Sequence, residues 1–345
     1  MSKLSFGQNS SKYSNEFLNI GVDARSIGMS NAVVSSIDDV NSTYWNPAGI
    51  LNIERDELSL MHSSYFANIA NYNFISYAKK IDDESALGFS LIRFGVDDIM
   101  DTTQLIDNQG NIDYNRIDLF SAADYAFLFS YAKKNRLLNI NYGINVKLIR
   151  RIIGDFANSW GFGFDIGIQH KNKNGWNFGL MARDITTTYN KWSFDNDRIA
   201  DIQNSIIGEN EEMPEKSEIS IPKLQLGVSK QFDINREYTI LTAFDLFILF
   251  EETNDIFSSE IASINPAVGL EFGYIDLVYL RLGVGNFQNE IQYDSSTELT
   301  FQPNLGIGFK MNEIEINYAL TDIGDQSVAL YSNIFSLKFN LDIIR

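Results

Sequence analysis

From Asp56 to the C-terminus the chain consists of repeated segments in which apolar and polar residues alternate. The clearest segment is 138–148, where every even position is large and apolar and every odd position is Asn, Gly or Lys. In a β-strand a period of two places all the apolar side chains on one face. The pattern therefore predicts strands with one face suited to hydrocarbon and one suited to water, although strands of a soluble sheet have the same period.

The chain contains fourteen such segments, and their connections alternate between tight polar turns and longer loops, of which Thr187 to Ile221 is the longest. Transmembrane barrels have short periplasmic turns, long extracellular loops and an even number of strands. The sequence therefore predicts an all-β fold, a 14-stranded antiparallel transmembrane β-barrel over residues 56–345, in the bacterial outer membrane. The segments begin near Glu57, Asn71, Ser85, Leu119, Leu137, Ser159, Trp176, Pro222, Tyr238, Ser263, Val278, Leu299, Glu313 and Ser327. A soluble or adhesive all-β protein is the alternative.

The two faces of the predicted strands differ in size as well as in polarity. Large side chains at even positions of 160–168 alternate with glycines and polar residues at odd positions, ending at Gln169. With the large residues facing lipid, the glycines thin the inner wall. We therefore expect space in the lumen for another part of the chain.

Residues 9–55 lack the alternation and are predicted to form a helical hatch inside the lumen, or alternatively a periplasmic cap. Between Ser26 and Val40 the period lengthens to nearly four, with Met29, Val33 and Ile37 on one stripe, which predicts a short helix. Asn46 and Pro47 predict the cap and first position of a second helical piece. Residues 1–8 are interpreted as the end of a signal peptide, with an ordinary frayed terminus as the alternative.

Several motifs in this region resemble a known family. Gly21-x-x-Ala24-Arg25-x-x-Gly28-Met29, followed by Trp45-Asn46-Pro47-Ala48-Gly49, resembles the FadL-like outer-membrane superfamily, and more closely the PorV/PorQ family of type IX secretion proteins. Segments 90–99 and 120–127 also resemble that family. The resemblance implies a fourteen-stranded barrel with an N-terminal hatch, in which the structural or gating candidates are Arg25, Gly28, Trp45, Asn46, Pro47 and Gly49.

Composition excludes several kinds of function. The chain has no cysteine, and its formal net charge of -18 disfavours nucleic acid as a partner. The two histidines, His62 and His170, belong to different strands and opposite ends, which gives no support to a catalytic triad or a zinc site. We therefore expect no catalytic, cofactor-binding or metal-binding residues, and no enzymatic activity. Basic residues cluster near the short turns, where they are solvated or dock a periplasmic partner.

Two membrane functions follow from the resemblance. The first is a non-catalytic secretion accessory that binds secreted cargo, type IX translocon or attachment-complex proteins through its extracellular loops, with outer-membrane lipid around the barrel. The second is a FadL-like channel for hydrophobic small molecules. An apolar pocket between hatch and wall, together with a lateral gap in a strand, would favour the channel.

Overall fold

The computed structural model describes residues 14–65, 69–106, 109–195, 217–292, 296–321 and 332–341, and only the backbone of Ile291. These residues form one antiparallel sheet that closes on itself. Closure occurs at β1 (Asp56–Tyr65), which pairs with β2 (Ala70–Lys80) on one side and with β17 (Ser332–Leu341) on the other. Because the hydrogen-bonded ladder has no open edge here, the sheet is a barrel.

The other strands follow in chain order around the barrel. They are β3 (Ser85–Asp101), β4 (Asp118–Asn135), β5 (Ile140–Ile153), β6 (Ala157–Lys171), β7 (Trp176–Arg183), β8 (Thr188–Phe194), β9 (Ser217–Ser220), β10 (Lys223–Asp233), β11 (Tyr238–Leu249), β12 (Phe257–Ser258), β13 (Ser263–Tyr274), β14 (Val278–Ile291), β15 (Thr297–Met311) and β16 (Ile314–Thr321). β7 and β8 both pair with β6 and form one interrupted barrel strand, which β9 and β10 follow as the next. With the two-residue β12 set aside, the barrel has fourteen strands, which confirms the predicted fold.

The alternation of the strands places the two faces as predicted. On β6, Trp160, Phe162 and Ile166 are exposed on the outside, whereas Asp165 and Gln169 are buried on the inside. The same phase on β5 exposes Tyr142 and Ile144 and buries Asn145. The outer wall therefore presents apolar side chains to lipid.

The connections separate by length at the two ends of the barrel, with three exceptions. The turns after β2, β4, β6, β10, β13 and β15 are short, which marks the periplasmic end. At the other end the connections 66–69, 154–156 and 292–296 are also short. The predicted loop from Thr187 to Ile221 is partly wrong, because both of its ends continue as β8 and β9. Its middle, 196–216, lies outside the described residues.

The chain before β1 lies inside the lumen, and its helices are shorter than predicted. They are 3-10 helices at Glu16–Asn19 and Pro47–Asn52, α1 (Ala24–Gly28) and α2 (Ser42–Trp45), with one further 3-10 turn at Tyr114–Arg116 in the β3–β4 loop. None of the described helices is long and apolar enough to cross a bilayer.

The predicted helix from Ser26 to Val40 is wrong. Ser30 and Asn31 both have positive φ angles, 53° and 64°, which end α1 after one turn. Farther along, the Val34 amide donates to the Asp245 carboxylate of β11 at 3.0 Å instead of to the hatch itself. Met29, Val33 and Ile37 are nevertheless fully buried, so the apolar stripe reflects packing rather than a helix.

The hatch (described from residue 14 to 55) touches the wall where the inner face carries glycine. A Cβ on Gly143 of β5 would lie 2.5 Å from the carbonyl carbon of Pro47, and one on Gly283 of β14 would lie 2.5 Å from that of Met29. A Cβ on Gly179 of β7 would likewise lie 2.5 Å from the carbonyl carbon of Val34. Backbone therefore meets backbone on opposite sides of the lumen, which a larger wall residue would prevent.

We predict that Gly143→Ala and Gly179→Ala each lower the free energy of unfolding by about 1–3 kcal/mol, because the new methyl groups overpack against hatch backbone. Urea titration of the detergent-solubilised barrel, read by heat-modifiable gel migration, measures this effect. Gly95→Ala is the matched control, since the three atoms nearest to its Cβ would be the Ala122 carbonyl oxygen and two atoms of the Arg93 guanidinium, each at 3.1 Å, and none of these belongs to the hatch. An equal loss in the control would contradict the assignment.

Candidate functional site

The candidate site is the contact between the hatch and the inner wall, where most of the predicted residues have identifiable partners. The Trp45 indole is buried and donates to the Val22 carbonyl at 3.0 Å. The Asn46 amide donates to the carbonyls of Val34 at 3.0 Å and Ile168 of β6 at 3.1 Å. Asn46 thereby joins two parts of the hatch to the wall.

The remaining predicted positions are Pro47, which begins a helical turn, and two glycines, which allow close packing because they lack a side chain. Asn46 also accepts from the Ala48 amide at 3.2 Å and precedes Pro47, which confirms the predicted cap and first helical position. A Cβ on Gly28 would lie 3.0 Å from the Cα of Gly306 on β15. One on Gly49 would lie 2.5 Å from the Ile37 carbonyl oxygen, so Gly49 allows close packing within the hatch itself.

Arg25 makes a bidentate ion pair with Glu271 of β13. The guanidinium donates to the two carboxylate oxygens at 2.9 and 3.0 Å. Burial acts to lower the pKa of Arg25, but the neighbouring carboxylates, Glu271 foremost with Asp38 and Asp39, together outweigh burial and hold that pKa above its ordinary value. Arg25 therefore remains charged inside the lumen.

This pair is one end of a chain of alternating charges that begins and ends on the hatch. Arg281 of β14 donates to Glu271 at 2.5 Å and lies 3.7 Å from Glu315 of β16. Lys338 of β17 contacts Glu315 and the hatch residue Asp39, each at 2.8 Å. The chain thus pins the hatch to one side of the barrel at two points, Arg25 and Asp39.

A second buried cluster lies beside the interruption between β7 and β8. Lys147 of β5 lies 2.7 Å from Asp165 of β6 and 2.5 Å from Asp184, which also accepts from the Thr188 hydroxyl. Asp184 has a φ of 55°, and its amide donates to Asp165 at 2.9 Å. Sequence reasoning missed this cluster, although Lys147 and Asp165 occupy inner-face positions of adjacent strands and that placement was the available signal.

A cavity of ≈ 760 Å³ lies at the long-loop end, between the hatch and the wall. Its apolar lining includes Leu18, Ile20 and Ile27 of the hatch together with Phe94 and Phe247 of the wall. Carboxamides line much of the rest, namely Asn19, Asn31, Gln225, Asn254, Asn265, Asn286, Gln288, Gln302 and Asn304. The cavity therefore has apolar and hydrogen-bonding surfaces together.

Two cations, Arg183 and Lys223, line this cavity, and Arg183 lies against aromatic rings of the hatch. Its guanidinium lies 4.4 Å from the centre of the Tyr44 ring and 5.8 Å from that of Trp45. No ion pair joins Arg183 to a carboxylate among the described residues. Stacking on the two rings is what holds the charge there.

The two histidines lie apart, as expected. His62 of β1 hydrogen-bonds through its ring to Asn73 at 2.8 Å, whereas the His170 ring lies 2.9 Å from the Asn139 carbonyl at the short-turn end. Each histidine ring therefore contacts a polar group of a neighbouring residue.

The barrel, its hatch and their contacts can now be compared with known proteins. Residues 7–178 match the family model of the type IX secretion system protein PorV. The chain belongs to the PorV family. As a closed barrel of this family, the protein resides in the outer membrane. A comparison with curated proteins finds no match.

Solved structures show how widely this fold is shared. The PorV-family chain is similar to the toluene transporter TodX of Pseudomonas putida, with 13% identity over 93% of this chain and 98% of that chain and a TM-score of 0.56. A FadL homologue of Pseudomonas aeruginosa has 11% identity over 92% and 98%, with a TM-score of 0.51. At these identities the likeness shows a common FadL-like barrel fold and not a common ligand.

We predict that Glu271→Gln lowers the free energy of unfolding by about 3–5 kcal/mol, because it removes the ion-pair partner of the buried Arg25 and leaves the buried Arg281 with only the Glu315 carboxylate, 3.7 Å away. Trypsin cleavage after Arg25 should accelerate correspondingly. Arg55→Met is the control, since the Arg55–Glu313 pair is about half exposed (48% and 46%) and its loss should cost less than about 1 kcal/mol. Equal effects of the two substitutions would refute the anchoring role.

Proposed function

We propose that this PorV-family protein is a non-catalytic accessory of type IX secretion. In this proposal, its extracellular loops bind secreted cargo or proteins of the translocon or attachment complex. The observation that carries the proposal is the match of residues 7–178 to the PorV family model, combined with a lumen that is closed by the hatch. A barrel whose lumen is blocked by its hatch acts through its outer surfaces.

The hatch fills the short-turn half of the lumen, which supports a role outside it. Val40, Ile50 and Ile53 are buried against the wall alanines Ala78 and Ala86. No protein segment passes through a lumen packed in this way unless the hatch leaves. The contacts of Arg25, Gly28, Trp45, Asn46, Pro47 and Gly49 therefore favour a structural role over gating, within a hatch that we assign to residues 9–55.

The long-loop end offers surfaces for partners. β3 and β4 contain 17 and 18 residues, more than the roughly 9–11 that cross a bilayer, so they project outward. Met100 and Tyr114 in this projection are 68% and 72% exposed. The central part of the predicted binding loop, like residues 1–8, lies outside the described residues, and both assignments remain proposals from sequence.

We predict that deleting the gene stops the release of proteins that carry the type IX C-terminal signal, and that the intact gene restores it. Mass spectrometry of culture supernatants measures this, and mild-detergent purification of the tagged barrel should recover translocon or attachment-complex proteins. Normal secretion of every such substrate would refute the accessory role.

A FadL-like channel is the second candidate, and the cavity between hatch and wall is the observation that favours it. Phe247 and Leu18 give this cavity an apolar side. A lateral exit is not evident at the interruption after Arg183, because the Ile185 amide still donates to the Phe164 carbonyl of β6 at 3.0 Å. The structure thus meets one of the two conditions for a channel.

If the channel function is correct, expression should let cells that lack their own hydrophobe channel grow on oleate. Phe247→Asp should then slow growth, since it places a charge on the apolar side of the cavity. Tyr114→Asp, an exposed change in the β3–β4 loop, should have no effect. Absence of growth with wild-type barrel present in the outer membrane would eliminate this candidate without affecting the first.

A further inference from the structure

The short-turn end of the barrel has an uneven distribution of charge. The turns after β2, β4 and β6, with the strand ends that lead into them (79–84, 133–139 and 170–175), form what we call the basic turn sector. These residues include seven Lys and Arg against three acidic residues, in a chain with 27 basic and 45 acidic residues. The other three short turns (233–237, 275–277 and 310–313) include two basic and four acidic residues. One side of the periplasmic face is therefore basic and the other is acidic.

The basic turn sector is held together by contacts between neighbouring turns. The Lys134 amide donates to the Glu84 carbonyl at 2.8 Å, and the Arg136 guanidinium pairs with the Glu84 carboxylate. On the other side, the His170 ring contacts the Asn139 carbonyl at 2.9 Å. Three turns thus form one surface rather than three independent loops.

The central turn of the sector places two leucines in solvent. Asn135 accepts from the amides of Leu137 and Leu138 at 3.0 and 3.2 Å, which fixes the turn. Leu137 is 97% exposed and Leu138 is 65% exposed. Both follow Tyr131 and precede Tyr142, the last outward aromatics of this hairpin, and therefore lie beyond the aromatic rim toward the periplasm.

The cations around these leucines are available to a partner. Lys134 and Lys173 are exposed and make no ion pair among the described residues, and Lys80, which is half-buried, also makes none there. Lys171 contacts Asp38 of the hatch at 3.3 Å, with both side chains partly exposed. A surface with unpaired cations around exposed leucines is complementary to acidic and apolar groups.

We propose that the basic turn sector is a periplasmic docking surface for a protein segment that carries acidic side chains beside large apolar ones. Phospholipid headgroups surround the whole barrel and would favour basic turns on every side, whereas the excess is confined to three neighbouring turns. A partner bound on one side accounts for that asymmetry. The proposal concerns the opposite end of the barrel from the extracellular loops and does not depend on the secretion role.

Photocross-linking in the native cells tests the docking surface, with p-benzoylphenylalanine replacing Leu137 in the full-length protein. We expect an adduct with a protein whose cross-linked peptide is net acidic. Lys133→Glu combined with Lys134→Glu should reduce the adduct about tenfold, because charge complementarity is reversed. The matched control places the same probe at Ile234, the exposed tip of the β10–β11 turn, and should give little adduct.

A second measurement keeps the test independent of how well the charge-reversed barrel assembles. The wild-type barrel in phosphatidylcholine nanodiscs should bind a labelled Glu/Leu peptide but not its Lys/Leu counterpart, with affinity falling about tenfold between about 0.05 and 0.5 M salt. Leu137→Ser should weaken this binding, whereas Ile234→Ser should not. A phospholipid adduct, no adduct, an adduct that survives charge reversal, or peptide binding indifferent to Leu137 would each overturn the proposal.

Discussion

The structure depends on close contact between the hatch backbone and glycines of the inner wall. Three of these glycines lie on strands in different parts of the barrel, namely Gly143, Gly179 and Gly283. At each of them the adjacent hatch backbone leaves no space for a methyl group. A wall of larger residues would force the hatch toward the axis or out of the lumen. Since a barrel of fourteen strands is wide enough to enclose other chain segments, these contacts determine how its interior is closed.

The polar contacts of the hatch fix its position against one side of the wall. The series of charges begins at Arg25 and ends at Asp39, both in the hatch, and its wall members lie on β13, β14, β16 and β17. Each buried charge in the series is paired. A buried ion pair of this kind is weak evidence for net stability, since desolvation offsets the attraction. The ion pair does specify where the hatch lies. A shifted hatch would leave Glu271 in contact with Arg281 alone and would leave Arg25 without a carboxylate partner.

The strands could be predicted from the sequence because the period of two is a local property. Nearly all the described strands begin within three residues of the predicted positions. The shift at β5 arises because Leu138 continues the apolar phase into a turn that Asn139 ends with a φ of 51°. The Ser26 to Val40 segment could not be predicted in this way. Its apolar spacing suits a helix, but hydrogen bonds to distant wall residues such as Asp245 replace those of a helix.

The pairing of inner-face charges was beyond a single sequence for a related reason. Arg25 and Glu271 are 246 residues apart, and the alternation shows only that Glu271 faces inward, not which hatch atom it meets. The same holds for Lys147, whose partner Asp184 depends on an interruption between β7 and β8 that the pattern of apolar residues does not mark.

The position of the hatch separates the barrel into two chemically different ends. Toward the periplasm, hatch and wall are in close contact and the exposed features belong to the turns. Toward the outside, the lumen widens into a cavity that combines Phe247 with many carboxamides, and β3 and β4 project past the bilayer. Among those carboxamides, the buried side-chain oxygens of Asn31 and Asn304 have no hydrogen-bond partner among the described residues, and a purely hydrocarbon ligand would leave them unsatisfied, which is costly in a buried site. The outer end is therefore better suited to a partner that offers hydrogen bonds than to a simple hydrocarbon, in agreement with a role in binding proteins.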